Sequence, residues 1–376
     1  MKILLKFLRE NKRLFFFTLF FLLLQTICIL LIPFFTEEIV DYGIASGNID
    51  TVFSIAVKMI VSSVIGVIVS ITCTYLTAKL SSKLGASIRE KLYAHIQSFT
   101  LEEQKAYGPA ALATRGSGDV ANVQQVLVML IQMILPGPFI GIVAVIMTWG
   151  VSKELALIVA LTILLFFGAV VFVFWKSLDN MKAIQERIDR MVAKLREVFV
   201  GVKIIRAFDN SAYEEQRTND TFVAHANNII AINRRFAFIS PTAFLFLGVV
   251  MAAILWFGSF EVTTGAVKIG AVTAVIEYVT LALLQLLSGA LVTVMIPRAV
   301  ASLTRVQKVL NQQTSLTDRE HTKDEQYNEK AEELIQFDNV TFQYPGAEKA
   351  VLDGISFSVK RGQTVAVIGA TASGKS

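Results

Sequence analysis

The chain has 376 residues, 54% of them apolar and only 17% charged, with a formal net charge of +5. So large an apolar surplus must face something other than water, which excludes a mainly soluble protein. Its two cysteines, Cys28 and Cys73, both sit inside apolar runs, which argues against a disulfide framework or a thiolate metal site and for small buried side chains.

The first 13 residues set Lys2, Lys6, Arg9, Lys12 and Arg13 against an apolar stripe of Ile3, Leu4, Phe7 and Leu8. This pattern predicts an interfacial helix lying on the membrane surface. The apolar run that follows is too long for a secretory leader, and no small-residue cleavage site follows it. Six runs reach the length of about 20 residues that a helix needs to span a bilayer. They cover roughly residues 14–35, 56–78, 128–150, 155–175, 236–259 and 269–297. Helices are the expected form, because backbone groups in lipid must be paired internally. The sixth run is broken by one charge, Glu277. An intramembrane carboxylate is a functional candidate by default. It either faces a translocation cavity, where it meets a cationic substrate or a proton, or it is neutralised or paired across a neighbouring span, for instance near Gln285. Phenylalanines 15–21 are expected to face lipid. Pro33, Pro136, Pro138, Pro241 and Pro297 fall near span ends, where they kink or stop helices.

The segments between the spans carry the topology. Residues 36–51 include Glu37, Glu38, Asp41 and Asp50 and no Lys or Arg, whereas residues 79–115 and 176–235 are basic. The positive-inside rule then places both termini and both long loops in the cytoplasm. The net positive charge is therefore topological, and no basic patch interleaved with aromatics outside these loops supports a nucleic-acid partner. In the first long loop Leu84, Ile88, Leu92 and Ile96 recur every four residues, with breaks expected at Gly108-Pro109 and at residues 116–118. In the second, Ile184, Ile188, Met191 and Leu195 recur at helical spacing, and a short segment, residues 207–216, precedes the return helix. Each loop reads as a helical hairpin, acting as a lever on a cytoplasmic partner or as a support for the bundle.

Residues 311–331 are polar, charged and without apolar periodicity, and read as a linker. From residue 332 the character turns to β. Leu334, Phe337, Val340 and Phe342 predict a strand, Tyr344-Pro345-Gly346 a turn, and residues 351–359 a second strand ending at Lys360-Arg361-Gly362. Residues 364–368 predict a buried strand that feeds the run Gly369-Ala370-Thr371-Ala372-Ser373-Gly374-Lys375-Ser376. That run fits the phosphate-binding pattern G-x-x-x-x-G-K-S, in the strand-then-loop context the motif requires. Backbone N–H groups of residues 370–375 would bind phosphate oxygens. Lys375 would neutralise the β- and γ-phosphates, and the Ser376 hydroxyl would ligate Mg²⁺ carried with the nucleotide. Gly369 and Gly374 would permit close backbone approach. Tyr344 either stacks on the adenine or packs on the surface of its turn.

Taken in order, these features resemble the exporter-type ATP-binding-cassette half-transporters of the bacterial multidrug type, over the whole chain. The resemblance implies a mainly α membrane protein. Its six-helix bundle has long cytoplasmic helical extensions, followed by an incomplete α/β P-loop domain of which residues 332–376 are the β-rich start. It implies a multi-pass protein of the cell membrane, ATP and Mg²⁺ as cofactors, a second identical or different half as partner, and export of small hydrophobic compounds. Ala207 and Phe208, with Tyr213 and Glu214 after them, resemble the coupling element that docks on a partner's nucleotide-binding domain. Thr114, Arg115 and Asp119 are similar to the end of the first coupling loop. Residues 338–345 are similar to the opening of the nucleotide-binding domain, with Tyr344 at its adenine-stacking position. Two positions depart from the family. Ala372 stands where Gly is usual, at a cost of about 1 kcal/mol if that position needs a positive φ. Gly118 stands where Asn is usual. The family's signature motif, catalytic Glu and switch His fall beyond Ser376, so no catalytic residue is assigned, and this stretch alone is expected neither to bind ATP tightly nor to hydrolyse it. The alternative expectation is an ATPase-deficient membrane subunit that pairs with and modulates a full-length half.

Overall fold

The computed structural model describes residues 2–313, 332–344 and 347–370. Helix α1 (Lys2–Glu10) is amphipathic as expected: Phe7 is buried while Lys6 and Arg9 are exposed. Asn11 separates it from α2 (Lys12–Glu38), which carries Pro33 in its interior and runs into a wider, π-helical turn, Ile39–Ile44. Asn48 then caps α3 (Ile49–Gln97), its side chain accepting from Thr51 N at 3.2 Å. At 49 residues α3 is about 70 Å long, more than twice the hydrocarbon thickness of a bilayer. Its far half buries Leu84, Ile88 and Leu92 of the stripe read from the sequence, with Leu80 one turn before them, while Ile96 is only partly buried.

The return arm begins with α4 (Leu101–Tyr107), fixed by a Thr100–Glu103 capping box, and α5 (Pro109–Thr114). It continues through a wide turn, Arg115–Asp119, into α6 (Val120–Met129), a second wide turn, Leu130–Ile134, and α7 (Pro136–Val151). The break expected at residues 116–118 is absent. The glycines there are absorbed into a widened helical turn, because Asp119 and Val120 are buried and Arg89 Nε donates to Gly116 O at 3.0 Å. The break at Gly108, with φ of +77°, is present. Ser152 caps α8 (Lys153–Ala207), which at 55 residues exceeds the thickness of a bilayer as α3 does. After a three-residue turn come α9 (Ser211–Ala237) and α10 (Ile239–Thr263). The return helix thus starts several residues before the expected end of the tip at residue 216. The bundle closes with α11 (Ile269–Val292), one tight turn and α12 (Ile296–Leu310).

Among the described residues six helical stretches are long and apolar enough to cross a membrane, and each contains one of the six runs read from the sequence. They pack through three apolar clusters. One joins α8, α10 and α11 around Phe166, Ile254 and Leu283. A second joins α1, α2, α3, α6 and α12 around Leu22, Leu84, Val120 and Val306. The third, Leu30, Ile140, Ala144, Ala274, Tyr278 and Ala282, is the seam of α2, α7 and α11, where small residues let helices approach closely. Of the early phenylalanines, Phe16, Phe17 and Phe20 are exposed as expected, but Phe15 and Phe21 pack into the second cluster. At the start of α11, Asp41 Oδ1 accepts from Gly270 N at 2.7 Å, and Lys268 Nζ lies 3.7 Å from the centre of the Tyr42 ring. A Cβ on Gly270 would fall 2.6 Å from Glu37 O, so this contact needs glycine.

The chain divides into two units, Met1–Ser315 and Leu316–Ser376. In the second, β1 (Glu333–Phe342) pairs antiparallel with β2 (Leu352–Lys360), with Phe337 opposite Phe357 and their rings stacked at 4.6 Å. Residues 364–368 are not a strand. None of the described residues pairs with them, Ile368 is 92% exposed, and a strand without a ladder partner has nothing to hold its backbone groups.

Candidate functional site

The tip of the first hairpin is the α4 region, where Leu101 is exposed. Thr114, Arg115 and Asp119 sit above it on the return arm. The Thr114 hydroxyl donates to Ala110 O at 2.9 Å, and the Arg115 guanidinium lies 4.6 Å from the centre of the Tyr107 ring. Asp119 is only 4% exposed and faces α12. It accepts from Arg305 Nε at 2.9 Å and from Arg305 Nη2 in a bidentate clasp. Ser302 Oγ, which also accepts from Asn122 Nδ2 at 3.1 Å, completes the cluster. Burial pushes the Asp119 carboxyl up, but the bonds from Arg305 and Ser302 and the nearby positive charge outweigh it, leaving it below the usual carboxylate range. Nearer the tip, His95 Nε2 donates to Gln312 O at 2.9 Å and Tyr107 OH to Gln312 Oε1 at 3.2 Å. Sequence reasoning missed His95, Tyr107, Arg305 and Gln312, because their partners lie about 200 positions away and no local spacing signals them.

The tip of the second hairpin is residues 208–210. Phe208 is 81% exposed, and Asp209 takes a left-handed conformation with φ of +48° that turns the chain. Ala207 ends α8 and is exposed, and Tyr213, in the first turn of α9, points outward as well. Glu214 turns inward instead, accepting from Lys194 Nζ at 2.6 Å and meeting Arg217, which also pairs with Glu197 at 3.0 Å. The hydrogen bond from buried Lys194 is the main cause that holds the Glu214 carboxyl below its usual range. Further rungs tie the two arms. Arg187 Nη1 donates to Ala224 O at 2.7 Å, Asn228 Nδ2 to Asn180 O at 3.1 Å, and Arg235 Nη1 to Lys176 O at 2.7 Å.

Glu277 lies at the α2–α11 seam, half-buried, and no hydrogen bond joins it to Gln285. It borders a cavity of about 290 Å³ shared with residues of α2. In the second unit Tyr344 is 59% exposed, and its ring stands nearly perpendicular to that of Phe342 with the centroids 5.0 Å apart. Gly369 and Ala370 are non-regular and exposed. Thr371, Ala372, Ser373, Gly374, Lys375 and Ser376, where the phosphates and Mg²⁺ would sit, lie outside the described residues, as do Pro345-Gly346 and residues 314–331 of the linker.

Comparison with known proteins matches residues 15–287 to the ABC transporter transmembrane region family. The chain is 25% identical, over 98% of its length, to an uncharacterized ABC transporter ATP-binding protein, MT1311, of Mycobacterium tuberculosis (strain CDC 1551 / Oshkosh), and covers 63% of that relative. It is 24% identical over 80% of its length to an ATP-dependent lipid A-core flippase of Dechloromonas aromatica, covering 51% of it. Over 62% of its length it is 26% identical to a beta-(1→2)glucan export ATP-binding/permease protein of Brucella suis, covering 38% of it. The chain thus spans less than two thirds of the length of these relatives. With six apolar helices in order and the family match running through most of them, this chain is a multi-pass membrane protein that belongs to the ABC transporter transmembrane family.

Proposed function

We propose that the chain is the membrane-spanning half of an ATP-driven exporter that works as a pair of halves and moves hydrophobic or amphipathic compounds out across the cytoplasmic membrane. The observation that carries this reading is the pair of helical hairpins. Arms α3 and α8 run far beyond bilayer length, and the second ends in an outward-facing Phe208 and Tyr213 suited to an apolar socket on a partner. The charge asymmetry of the loops favours a cytoplasmic position for both tips. The relative named for glucan export supports movement outward. ATP, bound with Mg²⁺ at residues 369–376 and stacked on Tyr344, would supply the energy that draws the halves together. The chain's own part is mechanical. The rungs between α8 and α9, and the Asp119–Arg305 clasp between the first hairpin and α12, stiffen the levers so that a push at a tip reaches the spans.

Inside-out membrane vesicles from cells expressing the gene test the reading. ATP should drive uptake of a hydrophobic dye, and Lys375→Ala should abolish it. Phe208→Asp should cut uptake at least tenfold while ATP hydrolysis persists. Uptake indifferent to ATP and to Lys375→Ala would overturn the proposal.

A further inference from the structure

The cavity at the α2–α11 seam is lined by Ile29, Ile32, Pro33, Glu277, Thr280 and Leu281. Most of its wall is apolar, and the polar atoms it offers are acceptors. Glu277 lies eight residues into α11, about 12 Å along the helix from its start. Among the described residues it has no hydrogen-bond or ion-pair partner. Residues 14–35 of α2 hold no basic side chain, and Lys268, the cation nearest in sequence, is engaged over the Tyr42 ring. Pro33 supplies a second acceptor. It lacks an N–H, so the Ile29 carbonyl one turn earlier has lost its helical donor, and Ile29 borders the same cavity. The third is Thr280, whose hydroxyl proton is committed to Ile276 O at 2.7 Å, leaving its lone pairs to accept.

A lone carboxylate at membrane depth is costly unless something neutralises it. A proton would do so, but it requires neither the volume nor the apolar walls. A positively charged centre carrying an apolar body uses all three features: the charge, the extra oxygens and the walls. We propose that the α2–α11 seam binds lipophilic cations, with Glu277 as countercharge, the Ile29 carbonyl and Thr280 hydroxyl oxygens beside it, and Ile32, Pro33 and Leu281 against the apolar body. The inference rests on the exporter reading in taking this cation as the class of compound moved.

Two probes of one shape and opposite charge, tetraphenylphosphonium and tetraphenylborate, test it by equilibrium binding to the full chain in lipid nanodiscs without ATP. Glu277→Gln should weaken phosphonium binding at least tenfold and leave borate binding undiminished, while Glu277→Asp should fall between. Leu281→Trp, which fills the wall and spares the charge, should also weaken the phosphonium, and it serves if the Gln variant does not fold. Phosphonium affinity unchanged by Glu277→Gln, the result expected of a carboxyl that holds only a proton, would overturn the proposal, as would affinity unchanged by Leu281→Trp. Phosphonium binding that depends on Glu277, without ATP-driven dye uptake in vesicles, would remove the exporter reading and keep the site. ATP-driven uptake with phosphonium binding indifferent to Glu277 would do the reverse.

Discussion

Asp119 shows how a single buried charge can serve as a fastener. It is shielded from water, and Arg305 grips both of its oxygens. Its folded pKa lies below its ordinary value of 3.8. The stabilisation is therefore complete above the unfolded pKa and is lost as pH falls through the lower, folded pKa. At neutral pH the clasp acts at full strength. The Arg305 side chain is 44% exposed, so solvent screens part of the attraction. Asp119→Asn should cost about 1–2 kcal/mol, between the ranges for exposed and buried pairs. That loss should lower the melting temperature in detergent at pH 7 by a few degrees. The reversed pair Asp119→Arg with Arg305→Asp should recover part of the loss. Equal melting of the Asn variant and the wild type would show that the clasp contributes nothing to stability.

At the scale of elements, helix contacts in the membrane unit depend on where backbone meets backbone. A Cβ on Gly289 of α11 would lie 2.9 Å from Met133 O and 3.2 Å from Ile134 Cα, both in the wide turn between α6 and α7. Neither atom can swing aside as a side-chain end would. Gly289→Ala should destabilise by about 1–3 kcal/mol. Gly248 of α10 is the matched control, because nothing lies within 4 Å of its added Cβ. Gly248→Ala should be neutral or stabilising by up to about 1 kcal/mol through helix propensity. Thermal melting of the two variants in detergent checks the pair, and equal effects would mean that the α11 contact is looser than it stands here. The same elements show what was legible locally. The Leu84–Ile88–Leu92 stripe marked the outgoing arm of the first hairpin because helical periodicity is a local property. The wide turn at 115–119 was illegible, since two glycines signal a break until tertiary contacts bury Asp119 and anchor Gly116.

At the scale of the whole molecule, the six spans, the two helical hairpins and the strand pair β1–β2 were all determined by the sequence itself. Each follows from a local rule: bilayer length, a four-residue apolar repeat, or alternation ended by a turn. The exposed Phe208 was legible too, as part of a short segment between two helical patterns. Only tertiary structure decided which candidates face outward and which are internal. It turned Tyr213 to solvent and Glu214 onto Lys194, though they are neighbours in sequence, because successive residues on a helix point in different directions and only one of the two meets the other arm. It paired Asp119 with Arg305 and set Glu277 on the same cavity as Ile29 and Pro33. These are contacts between helices far apart in the chain. Local pattern determines that a helix forms and which stripe is apolar, but the partner of a polar side chain depends on which helices become neighbours and on their relative rotation, and that is a property of packing.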